Sequence, residues 1–242
     1  MSLKNQTIEP EPNSVLNNLA EADHRIANHL AMLSSYVRLR AGRLVERDAV
    51  PNAEDVRCLT RLIVSQIDTI SDLHRILSDQ GNPDTLDLSV PLSRICKALQ
   101  AGVADEINIV IQLEKDCELA LQSILPVTQI FTEVVTNAIK HGCDSTGQSA
   151  IKISCCKSSS ETVVVEVSDS GSGLSNTSLA PSGDGLGLRL IDALIRQVDG
   201  SIEYLSTSQG LTVRLELPAA LQTTLPRTAA RSKHSFLSKT SA

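Results

Sequence analysis

The sequence predicts an α+β fold in two parts, an antiparallel helical hairpin followed by a layered sandwich with helices on one side of a mixed sheet. Three observations predict it. Two long runs near the N-terminus repeat apolar residues at helical spacing, Gly81-Asn82-Pro83 breaks that pattern, and short β-rich runs then alternate with amphipathic ones. Apolar residues make up 41% of the 242-residue chain, enough for a real core. With no Trp and only two Tyr and two Phe, that core is built from Leu, Ile, Val and Ala.

Residues 1–12 are polar, contain two Pro, and are expected to be a disordered lead-in. The hairpin is expected over 13–80. Its first helix runs from Asn13-Ser14 to about Val45 with Val15, Leu19, Ala22, Ile26, Leu30, Leu33, Val37 and Leu44 in one narrow stripe. A turn at 46–54 holds Asp48, Pro51 and Asn52. The second helix, about Ala53 to Asp79, carries Val56, Leu59, Ile63, Ile67, Ile70, Leu73 and Leu77 in the same manner. An αα-hairpin alone leaves much of such a stripe wet, so pairing with a second copy into a four-helix bundle is expected.

The mixed domain is expected over 84–218. Strands are predicted at Asp84–Ser89, Asn108–Leu113, Leu119–Gln122, Ala150–Cys156 and Thr162–Ser168, the last alternating Val163, Val165 and Val167. Helices are predicted at Pro91–Val103, with Pro in the first turn, at Ile124–His141, and at Leu186–Val198, closed by Gly200. Ser201–Ser206 and Leu211–Leu217 make a final hairpin across Ser208-Gln209-Gly210. The tail at 219–242 is Ser/Thr-rich, carries only basic charges and is expected to be disordered.

A net charge of −6 argues against nucleic-acid binding. No apolar run reaches the length of a membrane span and no signal-peptide core opens the chain, so a cytoplasmic protein without membrane insertion is expected. The six cysteines, at 58, 96, 117, 143, 155 and 156, form no C-x-x-C pair and read as buried reduced thiols.

Three constellations carry chemistry. On the helix Ile124–His141, Glu133, Asn137, Lys140 and His141 recur at one- and two-turn spacing, opposite Val127, Phe131, Val134, Val135 and Ala138. An Asn between an acid and a cation suits Mg²⁺ and phosphate oxygens, although a solvated polar face has the same spacing. Asp169 ends an apolar strand before Gly171 and Gly173, where a carboxylate can accept from an exocyclic amine and glycines let a base approach. Gly183-Asp-Gly185-Leu-Gly187 opens a helix whose free amides favour phosphate. Each signal alone is weak. In this order, on these elements, they are specific for a nucleotide site.

The arrangement resembles the N, G1 and G2 boxes of the GHKL (Bergerat) ATP-binding fold of histidine kinases, Hsp90, gyrase and MutL. The resemblance covers about Asp84 to Pro218, and Gly210-Leu-Thr212 resembles the Gly-x-Thr before the domain's last strand. It implies ATP and Mg²⁺ as cofactors, with Asn137 on the metal, Asp169 on the adenine amine, and Gly171 and Gly173 at the base. Gly185 and Gly187 would lie by the phosphates under a short lid at Ser175–Asp184. Gly183, His141, Leu188 and Thr212 complete the implied nucleotide-binding set.

The hairpin contains Asp23-His24-Arg25-Ile26-Ala27-Asn28, similar to the H-R-x-x-N phosphoacceptor motif of HisKA_2/HWE-type histidine kinases. At ~100° per residue His24 lies roughly 160° from the centre of the apolar stripe, hence exposed. Glu21 and Asn28 share its face, and Ala31 and Ser35 continue that face with small side chains. His29 falls at the stripe's edge and reads as a packed histidine. Asp23 stands where this subfamily often has another His. The resemblance implies a two-component histidine kinase that phosphorylates His24 from Mg-ATP and passes the phosphoryl group to an Asp of a response-regulator receiver domain. Glu133 and Lys140 join His24 as candidate catalytic residues, and Glu21, Asp23 and Asn28 are candidates to support the acceptor ring. A homodimer is expected, with input from a separate sensor protein, the N-terminal segment or the tail. The rival readings are a histidine phosphotransferase that does not use ATP, a GHKL anti-sigma factor with serine kinase activity, and an ATP-gated structural dimer.

Overall fold

The computed structural model describes residues 12–45, 51–78, 85–101, 107–141, 149–159, 161–173 and 186–220. The lead-in before residue 12, the Gly81-Asn82-Pro83 boundary, the whole of the expected lid at 175–184 and the tail beyond residue 220 lie outside them.

Helices α1 (Pro12–Val45) and α2 (Ala53–Ser78) form the hairpin. The start of α2 is fixed by a reciprocal cap. Asn52 Oδ1 accepts from the Asp55 N–H at 2.9 Å, and Asp55 Oδ2 accepts from the Asn52 N–H at 3.1 Å. Two amide donors that the first turn leaves without helical partners are thereby satisfied. The hairpin is not a separate body. α2 packs on α3 (Ser89–Gln100) and on α4 (Leu121–His141), and its Leu62, Ile70 and Leu73 enter the core of the mixed domain. The expected stripe is thus split, since Ile26, Leu30, Val56 and Ile67 remain exposed while Ile70 and Leu73 are buried.

Strands β1 (Thr85–Asp87) and β3 (Glu118–Ala120) form a small antiparallel pair that frames α3. Asp87 organises this corner, its Oδ1 accepting from the Ser89 N–H at 2.9 Å and its Oδ2 from the Asp116 N–H at 3.3 Å. The main sheet has the order β2-β4-β5-β7-β6, from β2 (Ile107–Leu113), β4 (Ser149–Ser159), β5 (Thr162–Asp169), β6 (Ser201–Thr207) and β7 (Gly210–Pro218). β2 and β4 are parallel and the other neighbours antiparallel, so the sheet is mixed as expected. Alternation sets its inner face. Ile151, Ile153, Cys155, Val163, Val165, Val167, Val213, Leu215 and Leu217 are buried beneath the helices. On the other face Arg214 pairs with Glu166 at 2.8 Å and Glu216 at 3.1 Å.

Several boundaries move from expectation. Residues 121–122 belong to α4, which starts three residues before Ile124, and α3 starts at Ser89 rather than Pro91. Because α4 lies between sheet and hairpin, it is buried nearly all round. Thr128, Gln129, Thr132, Glu133 and Thr136 are as enclosed as Phe131 and Val135. α5 (Leu186–Gln197) packs beside α4 and ends at Asp199 (φ 51°) and Gly200.

Gly210 joins β6–β7 to the end of β5. Its φ is 140°, and a Cβ there would stand 1.9 Å from the Asp169 carbonyl oxygen. Strain and overlap add. Gly210→Ala is expected to lower stability by about 2–5 kcal/mol, read as a drop in the urea midpoint with an unchanged slope.

Candidate functional site

Asp169 is the last residue of β5 and is half-buried. Its Oδ1 accepts from the Gly171 N–H at 2.9 Å and from the Leu211 N–H at 3.2 Å. Neither bond uses Oδ2, which keeps acceptor capacity for a ligand amine. Gly171 is buried, and Gly173 has φ 66° with its α-carbon packed on the β6–β7 turn. A Cβ at 173 would lie 2.2 Å from the Thr207 carbonyl oxygen, so the chain itself already requires this glycine. The Thr212 hydroxyl shares a 2.8 Å hydrogen bond with that of Ser168 across β5 and β7. Asp169, Gly171, Gly173, Gly210 and Thr212 therefore meet at one end of the sheet, where β5 finishes and β7 begins.

The strand that follows α4 in the chain begins at the same end. α4 ends at His141 and β4 begins at Ser149, where Ala150 and Ile151 adjoin Ser170 and Asp169. On the last turns of α4, Asn137 is half-buried and Lys140 exposed. Gly187 is buried in the first turn of α5, followed by half-buried Leu188. Gly183 and Gly185, the lid span from 175, and the side chains of His141, Glu21 and Asp23 lie outside the described residues.

Glu133 departs from the single polar stripe expected of this helix. Its side chain is 0% exposed, and its Oε1 lies 3.0 Å from Nε of Arg40 on α1, itself 6% exposed. The reason is packing. The hairpin covers this face of α4, and only the turns beyond Thr136 emerge from under it.

Arg40 also donates to the Thr132 carbonyl at 3.1 Å and to Thr136 Oγ1 at 2.9 Å. Gln66 of α2 accepts from Thr128 Oγ1 at 3.2 Å and donates to Thr132 Oγ1 at 3.5 Å. Sequence reasoning passed over both residues, yet a signal exists. The apolar stripe runs 26, 30, 33, 37, 44, and its alternating steps place Arg40 inside it, as they place Gln66 between Ile63 and Ile70.

On the hairpin, His24 is exposed as the wheel predicts, and Asn28 Nδ2 lies 3.2 Å from its Nδ1. Ala31 and Ser35 are exposed on the same face.

Comparison with known proteins agrees with this geometry. The family described as "Histidine kinase-, DNA gyrase B-, and HSP90-like ATPase" matches residues 122–221, and the HisKA_2 "Histidine kinase" family matches 21–103. The chain belongs to the histidine kinase family. "Blue-light-activated histidine kinase 2" of Erythrobacter litoralis (strain HTCC2594) is 23% identical over 215 residues, 86% of this chain. "Blue-light-activated histidine kinase 1" of the same organism is 24% identical over 200 residues, 82% of this chain. The chain spans 58% and 52% of these two relatives' lengths. The solved histidine kinase domain of the Erythrobacter litoralis EL346 blue-light activated kinase shares the fold. It aligns with a TM-score of 0.61 at 22% identity, covering 84% of this chain and 93% of that one.

Two further features of the kinase bear on its chemistry. Burial raises the thiol pKa of Cys96 to about 12 and also pushes up those of Cys117 and Cys155, so these thiols are inert. Cys58 and Cys156 are free and half-buried, and Cys143 lies outside the described residues. Among the described residues, no helix is long and apolar enough to cross a membrane.

His29 packs edge-on against His74 of α2, ring centroids 5.4 Å apart, with its Nδ1 enclosed and without a hydrogen-bond partner. Burial, then the charges of His74 and Arg25, hold its pKa below the ordinary 6.5. The unfolded chain binds this proton first as pH falls, so His29 lowers stability as pH drops through about 6.5 and below. The urea midpoint is expected to fall between pH 7.5 and 5.5, and more shallowly in His29→Leu.

Proposed function

We propose that the chain is an ATP-dependent protein-histidine kinase that phosphorylates its own His24 and passes the phosphoryl group to an Asp of a response-regulator receiver domain. The observation that carries this reading is the pairing, in one chain, of an exposed His24 held at Nδ1 with an Asp169 carboxylate at the end of β5 whose Oδ1 is fixed by two backbone amides and whose Oδ2 keeps acceptor capacity. With the Asn28 amide flipped, so that Oδ1 takes the place of the Nδ2 that lies 3.2 Å from Nδ1, it accepts from Nδ1–H and leaves the Nε2 lone pair facing outward. Nε2 then attacks the γ-phosphorus, the bond from γ-phosphorus to the bridging oxygen breaks, and ADP leaves with that electron pair. The ring proton at Nδ1 passes to water as the phosphoramidate forms. Asp23 and Glu21, one and three residues away, are further candidates to take it.

Asp169 selects the base by accepting from the adenine amine, and Gly171, Gly173 and Thr212 shape the floor beneath it. Asn137 offers one amide oxygen and Lys140 a cation, a donor set that fits a Mg²⁺ held mainly by phosphates and water. Bound there, the ion offsets phosphate charge during transfer. His141, Gly183, Gly185, Gly187 and Leu188 line the phosphate side, with 175–184 as lid. Glu133 contributes only when Arg40 releases it.

The exposed Ile26, Leu30, Val56, Val64 and Ile67 support a homodimer through the hairpin. A cytoplasmic location and a separate sensor protein complete the proposal. The test is incubation with γ-labelled ATP and Mg²⁺, followed by a chase onto a receiver domain. Label that is acid-labile, base-stable and transferable is expected, and nucleotide-bound wild type that takes up none would sink the reading.

A further inference from the structure

A cleft of about 180 Å³ opens where α1, α2, α4 and α5 meet. Arg25, Asn28 and His29 of α1, Gln122 of α4 and Gln197 of α5 supply its polar walls. Met32, Leu73 and Leu121 supply the apolar ones. Leu73 and Leu121 also belong to the core of the mixed domain, with Met32 packed against it. Apolar packing therefore holds the walls in place, and the cleft needs no movement of the hairpin to exist.

Volume and lining together name the kind of occupant. A cavity of about 150 Å³ holds a benzene-sized body, so this cleft accommodates one ring or branched chain with a small polar group. Arg25 brings a permanent cation to the wall, and no acid stands among the described lining residues. Asn28, Gln122 and Gln197 are exposed and each offers an amide NH₂. The His29 Nδ1 is enclosed without a hydrogen-bond partner, so the ring has unused capacity at the wall. Burial, then the charges of His74 and Arg25, hold the His29 pKa down, and an anion beside them offsets those charges. A carboxylate only accepts hydrogen bonds, and here it meets donors from α1, α4 and α5.

Asn28 ties the cleft to the acceptor. It lines the cleft, and its Nδ2 lies 3.2 Å from His24 Nδ1. A carboxylate in the cleft requires a donor from Asn28, so Nδ2 turns to it and Oδ1 comes round to the His24 Nδ1–H. We infer that the cleft is a regulatory binding site for a small carboxylate on an apolar body, held by Arg25 and the Asn28, Gln122 and Gln197 amides. Its occupancy fixes Asn28 as the acceptor for the His24 ring proton and speeds autophosphorylation. The binding site stands on the cleft itself, while its effect on rate rests on the reading of His24 as the phosphoacceptor.

The test uses the full chain with benzoate as the probe, beside uncharged benzamide and inorganic phosphate. Calorimetry reads binding, and the initial rate of acid-labile labelling reads the effect. Benzoate is expected to bind saturably with a dissociation constant on the order of 1 mM or below, undisplaced by a non-hydrolysable ATP analogue. Gln122→Glu puts an acid in the cleft wall, in the first turn of α4 where the helix tolerates it. That variant is expected to bind benzoate at least about tenfold more weakly, with benzoate-free labelling within about twofold of wild type. If it does not fold, Gln197→Glu decides by the same criterion. Saturating benzoate is expected to speed wild-type labelling at least about threefold and Asn28→Ala labelling not at all. The site is overturned by absent saturable binding, by benzamide or phosphate binding as tightly, by displacement with the analogue, or by unchanged affinity in the Glu variant. Benzoate binding with an equal or slower labelling rate overturns the coupling through Asn28. If wild type takes no label with or without benzoate, the acceptor reading fails on its own, and the binding measurements still decide the site.

Discussion

His24→Ala is expected to abolish acid-labile phosphate on the chain while leaving nucleotide affinity within about twofold. The argument is local. His24 is exposed, it meets the exposed Asn28, and it stands on the face of α1 away from the core, so its loss costs less than about 0.5 kcal/mol of stability. The surroundings of Asp169 are built from β5 and the β6–β7 hairpin, and its hydrogen bonds do not use α1. Binding and acceptance therefore separate cleanly. His29 and His74 do not substitute, because they are half-buried against one another. Asn28→Ala removes only the group that fixes the ring, worth about 1 kcal/mol, and is expected to slow labelling about fivefold. Phosphate that persists in His24→Ala moves the acceptor elsewhere. Label on Ser or Thr, stable to acid, would instead favour the serine kinase reading.

The fold was legible where one physical rule governed a segment. Alternation in Thr162–Ser168 gave β5, helical spacing gave α1 and α2, and the wheel put His24 outside because it lies opposite the apolar stripe. The site was less legible where two rules compete. On α4, spacing grouped Glu133 with Asn137 and Lys140, but burial is set by what covers a helix, and the hairpin covers Glu133. No window along α4 contains that information. It was present in α1, where Arg40 falls within an apolar stripe, a position for which a buried partner is the usual explanation. The split of the α2 stripe has the same origin. Leu73 and Ile70 serve the mixed domain while Ile67 and Val56 remain open, and spacing cannot distinguish two partners approaching one helix. Gly173 and Gly210 could be seen as glycines, but their mutual packing through Thr207 and Asp169 depends on a contact 37 residues apart in sequence.

Asp169→Asn is expected to weaken ATP binding by about 10- to 150-fold with the fold intact, the equivalent of losing one hydrogen bond to a charged acceptor at about 1.5–3 kcal/mol. Asparagine keeps a carbonyl oxygen that can still accept from the Gly171 and Leu211 amides, which now bond Oδ1 at 2.9 and 3.2 Å. What it changes is the second oxygen, replaced by an NH₂ that turns an acceptor into a donor. The adenine exocyclic amine is also a donor, so the two groups oppose each other. Guanine presents a carbonyl at the corresponding position, so the ATP-to-GTP preference should shrink or reverse in the variant. Asp169→Ala separates the two roles of the residue. It abolishes base selection and also strands two backbone amides, costing about 1–3 kcal/mol of stability for each one left unsatisfied. Stability and affinity should therefore fall together in Asp169→Ala, and affinity alone in Asp169→Asn. An Asp169→Asn variant that binds ATP as wild type does would place the base somewhere other than the end of β5. The short labelled-ATP assay on that variant then reports the consequence directly, because His24 is untouched and any loss of label must come from the nucleotide side.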